Sequence, residues 1–312
     1  ESINSKSMKF GIESYSLAPP ISTIISLILF LGLYKIGKII LNFHFFKKTL
    51  KNISILNYQY ISISILLLSL LFYPLVLFIK INSNIFQAFS IIILLFGLWH
   101  IKKKIKFFIN FVKSSKKNIK NLNELILILF IFVYFLLSLG PITDADSLDY
   151  HLSVPIYILN HGLFPNDILW FHAAQAGLGE IPIIFGLVVG AEQFSGLIQF
   201  SGLISVLGVL KKNIHKIKNN KYLTKDFYLT LMFLSIPILI FLNSTAKPQL
   251  IYIGYTTLAF AITFFDTNKE TKNIFFKYFF IILLLYVSFE GKFSFILSAF
   301  IIWLVSSFKI LK

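Results

Sequence analysis

The chain has 312 residues, of which 57% are hydrophobic and 13% are charged, with a formal net charge of +16 and no cysteine. Soluble domains contain roughly 45–50% apolar and about 25% charged residues, so this composition excludes a disordered chain and argues against a water-soluble enzyme. The lack of cysteine excludes disulfides, thiolate zinc sites and catalytic thiols.

Nine apolar stretches are long enough, or nearly long enough, to cross a bilayer core about 30 Å thick, which takes roughly 20 helical residues. In chain order they cover residues 20–41, 60–79, 85–101, 122–140, 191–210, 227–242, 250–265, 274–289 and 293–308. The stretch 181–190 is too short to cross alone, so we expect an interfacial helix or an extension of the next span. The sequence predicts an all-α, polytopic membrane helix bundle with about nine spans.

The lysines alternate between successive connections. All 29 basic residues are lysines, and most lie in connections 42–59, 102–121, 211–226 and 266–277. Because cytoplasmic loops retain positive charge, this pattern predicts an outside N-terminus and an inside C-terminus. It also assigns the basic charge to membrane topology and anionic lipids rather than to nucleic acid.

One long outward connection, residues 140–180, is rich in acids and histidines and contains no lysine. It holds Asp144, Asp146, Asp149, Asp167, Glu180, His151, His161 and His172. Long loops in compact domains are commonly functional. A short helix is expected over residues 153–160, ended by Gly162, and Tyr150 and Trp170 suit the membrane–water interface. We therefore expect interfacial helices over the outer face.

Asp144 and Asp146 directly follow the fourth span. Two carboxylates at this spacing can converge on one divalent cation, or one can act as a base while a partner holds the other. The structural alternative is a solvated loop start in which Asp146 caps a helix that begins near Ser147.

Two short outward connections place lysines on the side that otherwise mostly lacks them. One contains Lys247, and the other contains Glu290 and Lys292. Charges near the membrane are costly unless they are paired or functional. Carboxylates and ammonium groups on one face suit a reaction on a phosphate-bearing lipid, with a carboxylate as base and lysines on the phosphate. The alternative is that Glu290 pairs with Lys292 and that Lys247 reaches the lipid headgroups.

The run Asp144, Ala145, Asp146, Ser147, Leu148, Asp149, Tyr150 and His151, followed by Pro155 and Gly162, resembles the first-loop motif of GT-C membrane glycosyltransferases. These include the protein O-mannosyltransferase-like and aminoarabinose transferase-like enzymes. Lys292, Phe293 and Ser294 resemble a later lysine–aromatic–small element. Trp170, His172, Gly177, Gly179 and Glu180, with residues 190–194, resemble bacterial multispan proteins that carry such a loop.

The resemblance implies an enzyme that moves a sugar from a polyprenyl-phosphate donor to an envelope lipid or glycan acceptor, outside the bacterial cytoplasmic membrane. It implies that Asp144 or Asp146 is the base and that the other binds the acceptor or a divalent cation, Mg²⁺ or Mn²⁺. The remaining expected substrate-binding residues are Asp149, Tyr150, His151, His172, Glu180, Lys247, Glu290 and Lys292, with the two lysines on the donor phosphate.

The resemblance also implies a division of the chain. Residues 1–121, with three spans, form an accessory N-terminal membrane region, and residues 122–312 form a GT-C-like core whose C-terminal part is truncated. Two other functions stay open at this point: a transporter or flippase of a lipid-linked saccharide, and a non-catalytic membrane scaffold. The predicted span centres lack acidic and basic residues, which argues against an ion-coupled transporter.

Overall fold

A computed structural model describes residues 15–43, 57–114, 122–166, 169–217, 223–265 and 274–311. Within these ranges all regular structure is helical. The α-helices in chain order are α1 (Pro19–Asn42), α2 (Tyr60–Phe78), α3 (Ser83–Ser114), α4 (Leu122–Leu137), α5 (Ser153–His161), α6 (Ile181–Leu187), α7 (Phe194–Ile217), α8 (Leu223–Leu234), α9 (Pro237–Asn243), α10 (Gln249–Phe265), α11 (Ile274–Gly291) and α12 (Ile296–Leu311). Each of the four lysine-rich connections lies partly outside the described residues.

Within the described ranges, four helices are by length and composition able to cross a membrane: α1, α2, the Ser83–Lys103 part of α3, and α11. Apolar parts of α4, α7, α10 and the α12 region are shorter. Large apolar side chains on these helices are exposed, including Phe78, Phe279 and Leu297. Such an apolar surface is consistent with a membrane protein, since lipid rather than water can cover it. The predicted number of nine spans is not confirmed.

The predicted sixth span, residues 227–242, is wrong as a single helix. It is divided into α8, which ends at Leu234, and α9, which begins at Pro237. Proline lacks the backbone N–H that a continuing helix needs, and it forces the preceding residue out of the helical region. Ile236 accordingly has extended dihedral angles, with φ −69° and ψ 117°.

The helices of the long connection are present, but they do not lie over the surface as expected. Every residue of α6 is buried, and so are most residues of α5. The Ser90 hydroxyl of α3 donates a hydrogen bond to the Phe185 carbonyl at 2.8 Å. A left-handed turn at Gly190, with φ +73°, separates α6 from α7, so α6 is not an extension of that span. The α6 sequence is apolar on all sides, which explains its complete burial, whereas α5 buries its apolar residues and exposes Asn160 and His161.

The first three helices share one buried core with the later ones. Leu29 and Phe72 belong to the same buried cluster as Phe185, Tyr252 and Leu284. The predicted N-terminal membrane region is therefore packed directly against the rest of the bundle.

The described parts of the connections that the lysine pattern places outside lie at one end of the bundle. We call this end the carboxylate end; it contains residues 15–18, 79–82, 138–193, 244–248 and 292–295, apart from 167–168. Hydrogen bonds join Leu17 N–H to the Gly190 carbonyl and Ile81 N–H to the Gly162 carbonyl, both at 3.0 Å. At the opposite end, the Tyr278 and Ser307 hydroxyls lie 2.8 Å apart. The grouping of connections at two ends agrees with the alternation of the lysines.

Candidate functional site at the carboxylate end

The acidic segment after α4 is held by a cap and an anchor. Ile142 N–H donates to Glu192 Oε1 at 3.0 Å, and Ser147 N–H donates to Asp144 Oδ1 at 3.0 Å. A single π-helical turn, Ser147–His151, follows. Asp144 caps this turn and Asp146 makes no such bond, so the expectation that Asp146 is the cap is wrong. π-Helical turns are frequent at functional sites.

Lys247 lies against both aspartates of this segment. Its Nζ is 2.6 Å from Asp146 Oδ2 and 3.9 Å from Asp144 Oδ1. The Ala246 N–H donates to the Ser147 hydroxyl at 3.0 Å, which fixes the two connections to each other. Lys247 therefore binds carboxylates rather than extending to the lipid headgroups.

The two aspartates have different surroundings. The Asp146 side chain is 59% exposed, and the hydrogen bond from Lys247 holds the pKa of its carboxyl below the usual value. Asp144 Oδ2 is buried and has no hydrogen-bond partner among the described residues. Asp146 is thus an ionised partner of Lys247, whereas Asp144 keeps one oxygen without a donor.

Two histidines each bind a carboxylate through Nδ1. His151 Nδ1 lies 2.7 Å from Glu180 Oε1, with side chains only 1% and 2% exposed. His172 Nδ1 lies 2.7 Å from Asp149 Oδ2 in an exposed pair. The Tyr150 ring is close to both histidine rings. Its centroid lies 4.0 Å from that of His151 and 5.9 Å from that of His172.

Tyr150 stays neutral in this setting. Burial raises the pKa of its hydroxyl to about 12, and the neighbouring carboxylates, first Asp146, add to the increase. A neutral tyrosine can still donate and accept hydrogen bonds.

Glu290 does not pair with Lys292 among the described residues. It instead accepts a hydrogen bond from the Tyr73 hydroxyl of α2 at 2.6 Å. The Lys292 side chain is partly exposed at the turn between α11 and α12, and the described residues show no ion pair to it. The structure therefore places Lys292 at the carboxylate end without joining it to Asp144 and Asp146.

Three glycines near Glu180 and Glu290 are closely packed, two of them against Tyr252. A Cβ on Gly179 would lie 3.1 Å from the Tyr252 hydroxyl oxygen, and one on Gly291 would lie 2.0 Å from Tyr252 Cζ. The Gly177 N–H donates to Glu180 Oε2 at 2.7 Å, and a Cβ there would lie 3.0 Å from the Glu290 carbonyl. Glycine is required at these positions because the chain passes so close to its neighbours.

Eight of the ten sequence-predicted site residues thus form three groups at one end of the bundle, whereas Glu290 binds Tyr73 and Lys292 joins none of the groups. The groups are Asp144, Asp146 and Lys247; His151 and Glu180; and Asp149 and His172, with Tyr150 between the last two groups. Three residues that were not predicted support this end: Ser147 binds the Ala246 N–H, Tyr73 binds Glu290, and Tyr252 packs against Gly179 and Gly291. Only position could have indicated two of these residues in the sequence: Ser147 lies beside the aspartates, and Tyr73 lies near the end of a span.

The divalent cation expected at Asp144 and Asp146 stays a prediction. Mg²⁺ is usually held by one or two carboxylates, with waters and substrate phosphates as its other ligands. Here both carboxylates face the Lys247 ammonium, and the described residues contain no group of three or more His, Cys, Asp or Glu that could hold a metal ion. Lys247 supplies the positive charge at this point.

The chain is similar to a known protein family. Residues 99–311 match the DUF1420 N-terminal domain. The chain belongs to this DUF1420 family. The DUF1420 match covers all ten predicted site residues and α4–α12, whereas Tyr73 and the first two helices precede it. No curated protein and no solved structure matches the chain significantly.

Proposed function

We propose that the carboxylate end is the active site of a membrane glycosyltransferase. The enzyme would move a sugar from a polyprenyl-phosphate donor to an envelope lipid or glycan acceptor on the outer face of the bacterial cytoplasmic membrane. The observation that supports this proposal best is the ammonium of Lys247 beside two differently placed aspartates, one of which has a buried oxygen without a donor.

Asp144 is the base in this proposal. The acceptor hydroxyl attacks the anomeric carbon, the bond from that carbon to the phosphate oxygen breaks, and Asp144 Oδ2 takes the hydroxyl proton. A base needs an oxygen within reach of the proton that it removes. Asp144 Oδ2 is not engaged in any hydrogen bond with the described residues, whereas the pKa of Asp146 is lowered by Lys247, which makes Asp146 the weaker base.

Lys247 binds the leaving phosphate. Hydrogen bonds between an ammonium and a phosphate are charge-assisted and roughly twice as strong as neutral ones. Asp146 holds Lys247 beside Asp144 in the absence of substrate. Lys292, in the next connection, is the second expected phosphate contact, while Asp149, Tyr150, His172 and Glu290 offer hydrogen-bonding groups to the sugar or acceptor.

A transfer assay tests the proposal. Purified protein in proteoliposomes is given a radiolabelled polyprenyl-phosphate sugar and envelope lipid extract, and the labelled product is separated from the donor. We expect product with wild type and with His161→Gln, an exposed histidine of the same connection, and at least about 100-fold less product with Asp144→Asn. Movement of the donor across the membrane without product would indicate a flippase, and the absence of both would indicate a scaffold.

A further inference from the structure

The two connections that meet at Lys247 contain an excess of buried hydrogen-bond acceptors. Asp144 Oδ2, His151 Nε2 and Asn243 Oδ1 are all buried, and none has a partner among the described residues. An unsatisfied buried acceptor costs roughly 1–3 kcal/mol. Native proteins rarely retain such groups unless a ligand or water completes them.

The hydrogen bonds of Glu180 determine the state of the His151 nitrogen. Glu180 Oε2 accepts the Gly177 N–H, and Oε1 lies 2.7 Å from His151 Nδ1. A carboxylate can only accept in both positions, so the proton of the neutral imidazole is on Nδ1. His151 Nε2 is then left with a lone pair. Carboxylates fix histidine tautomers in this way in metal sites and catalytic triads.

We propose that His151 Nε2 binds a ligand hydroxyl and that Glu180 is its positioning residue. The proposal rests on the function above, and it names the chemistry that completes this part of the site. Sugar hydroxyls donate hydrogen bonds, and Asp144 Oδ2 and Asn243 Oδ1 offer two further acceptors from the same pair of connections. A polyhydroxylated ligand therefore matches the excess of acceptors better than a purely phosphorylated one.

His151 is 1% exposed, so a ligand hydroxyl can reach Nε2 only after a local movement of the surrounding side chains. The Tyr150 ring packs beside the imidazole, with the two ring centroids 4.0 Å apart.

The test uses ¹⁵N NMR of the full chain in nanodiscs with ¹⁵N-labelled histidine. The His151 signals are identified by their loss in His151→Gln. We expect a proton on Nδ1 in wild type. In Glu180→Gln the amide oxygen stays with the Gly177 N–H, so the amide NH₂ faces Nδ1 and moves the proton to Nε2. Glu192→Gln, a carboxylate that also accepts a backbone N–H, is the matched control and keeps the wild-type tautomer.

The second step adds a short-chain polyprenyl-phosphate sugar, with binding followed independently by the thermal midpoint. We expect the wild-type Nε2 signal to move, and the Kd of Glu180→Gln to rise about tenfold, the value of one hydrogen bond. A proton on Nε2 in wild type, or an unmoved Nε2 signal in protein that binds the lipid, overturns the inference. If the lipid does not bind, the proposed donor and the hydroxyl ligand are both wrong, while the tautomer in the free protein still decides the role of Glu180.

Discussion

Lys247 and Asp146 are 101 positions apart in the chain, and their side chains meet at 2.6 Å. The hydrogen bond from Ala246 N–H to the Ser147 hydroxyl brings the two connections together one residue away from this contact. The pair therefore depends on the packing of the whole carboxylate end, and it divides the two aspartates into an ion-paired group and one with an unpartnered oxygen.

This division predicts different effects of two matched substitutions. Asp144→Asn should lower the transfer rate by about 10²–10⁴-fold, the usual contribution of a general base. Asn retains the oxygen that caps Ser147, so the fold should persist. Asp146→Asn should act mainly on the KM for the donor, because Lys247 loses its partner. Steady-state kinetics measures both effects, and the thermal midpoints of the two variants should equal that of wild type. Equal kinetic effects of the two substitutions would contradict the assignment of Asp144 as the base.

The ion pair predicts a dependence of stability on pH. Lys247 lowers the pKa of Asp146 below 3.8, so the pair stabilises the fold at neutral pH and this contribution is lost as the pH falls through the lowered pKa. The thermal midpoint of Lys247→Met should therefore lie below that of wild type at pH 7 and approach it in acid. Asp146 is largely exposed, so the loss in the free energy of unfolding at pH 7 should stay below about 1 kcal/mol. Lys247→Arg, which keeps the charge, is the control; a difference independent of pH would refute the pairing.

The close approach of Tyr252 to Gly291 predicts that a methyl group at position 291 lowers the free energy of unfolding. A Cβ there would lie 2.0 Å from Tyr252 Cζ, which forces the two helices apart. Gly291→Ala should cost roughly 1–3 kcal/mol in the free energy of unfolding. Gly140→Ala, where the nearest atom is at 3.2 Å, should cost less. Adding Tyr252→Leu should recover part of the loss, so that the double variant is more stable than the sum of the singles; strict additivity would show that the contact is absent.

The charge distribution predicts that metal removal has no effect on transfer. Lys247 provides the positive charge beside Asp144 and Asp146, and a chelator does not change it. Transfer rates in EDTA should equal those with added Mg²⁺ or Mn²⁺. A loss of activity in EDTA that the ions restore would show that a cation replaces Lys247 at the carboxylates.

The lysine alternation predicts the orientation of the bundle. A topology reporter fused at Ser115 should read the cytoplasm, and one fused at Asn82 should read the outside. Ser115 lies outside the described residues, while Asn82 lies at the carboxylate end. The reverse result would place the carboxylate end in the cytoplasm and remove the proposed outer-face reaction.

Periodic and compositional features of the fold could be predicted from the sequence. The helices α1, α2, α3 and α11 follow from apolar runs of sufficient length, and the grouping of connections follows from the lysines. The break at Pro237 was missed, because a proline alone does not decide where a helix ends: α2 continues through Pro74, whereas the chain leaves the helix at Ile236. The burial of α6 was not predicted either, since an apolar run of seven residues fits an interface and a core equally well.

The candidate site was predictable as a set of residues but not as a set of pairs. Asp144, Asp146 and Lys247 were expected on one face, and the structure brings them into contact. The partners of Glu180 and Glu290 depend on tertiary packing: His151 is 29 positions from Glu180, and Tyr73 is 217 positions from Glu290. No local pattern in the sequence marks such contacts.

Photo-crosslinking with a donor analogue shows whether the carboxylate end binds the lipid-linked sugar. A polyprenyl-phosphate sugar with a diazirine on the sugar is bound to the full chain in nanodiscs, irradiated, and the labelled peptides are identified by mass spectrometry. We expect labels in the peptides that contain residues 144–151 and 243–248, with competition by unlabelled donor and reduced labelling in Lys247→Met. Labels confined to the lysine-rich end, or labelling that unlabelled donor does not reduce, would contradict this expectation.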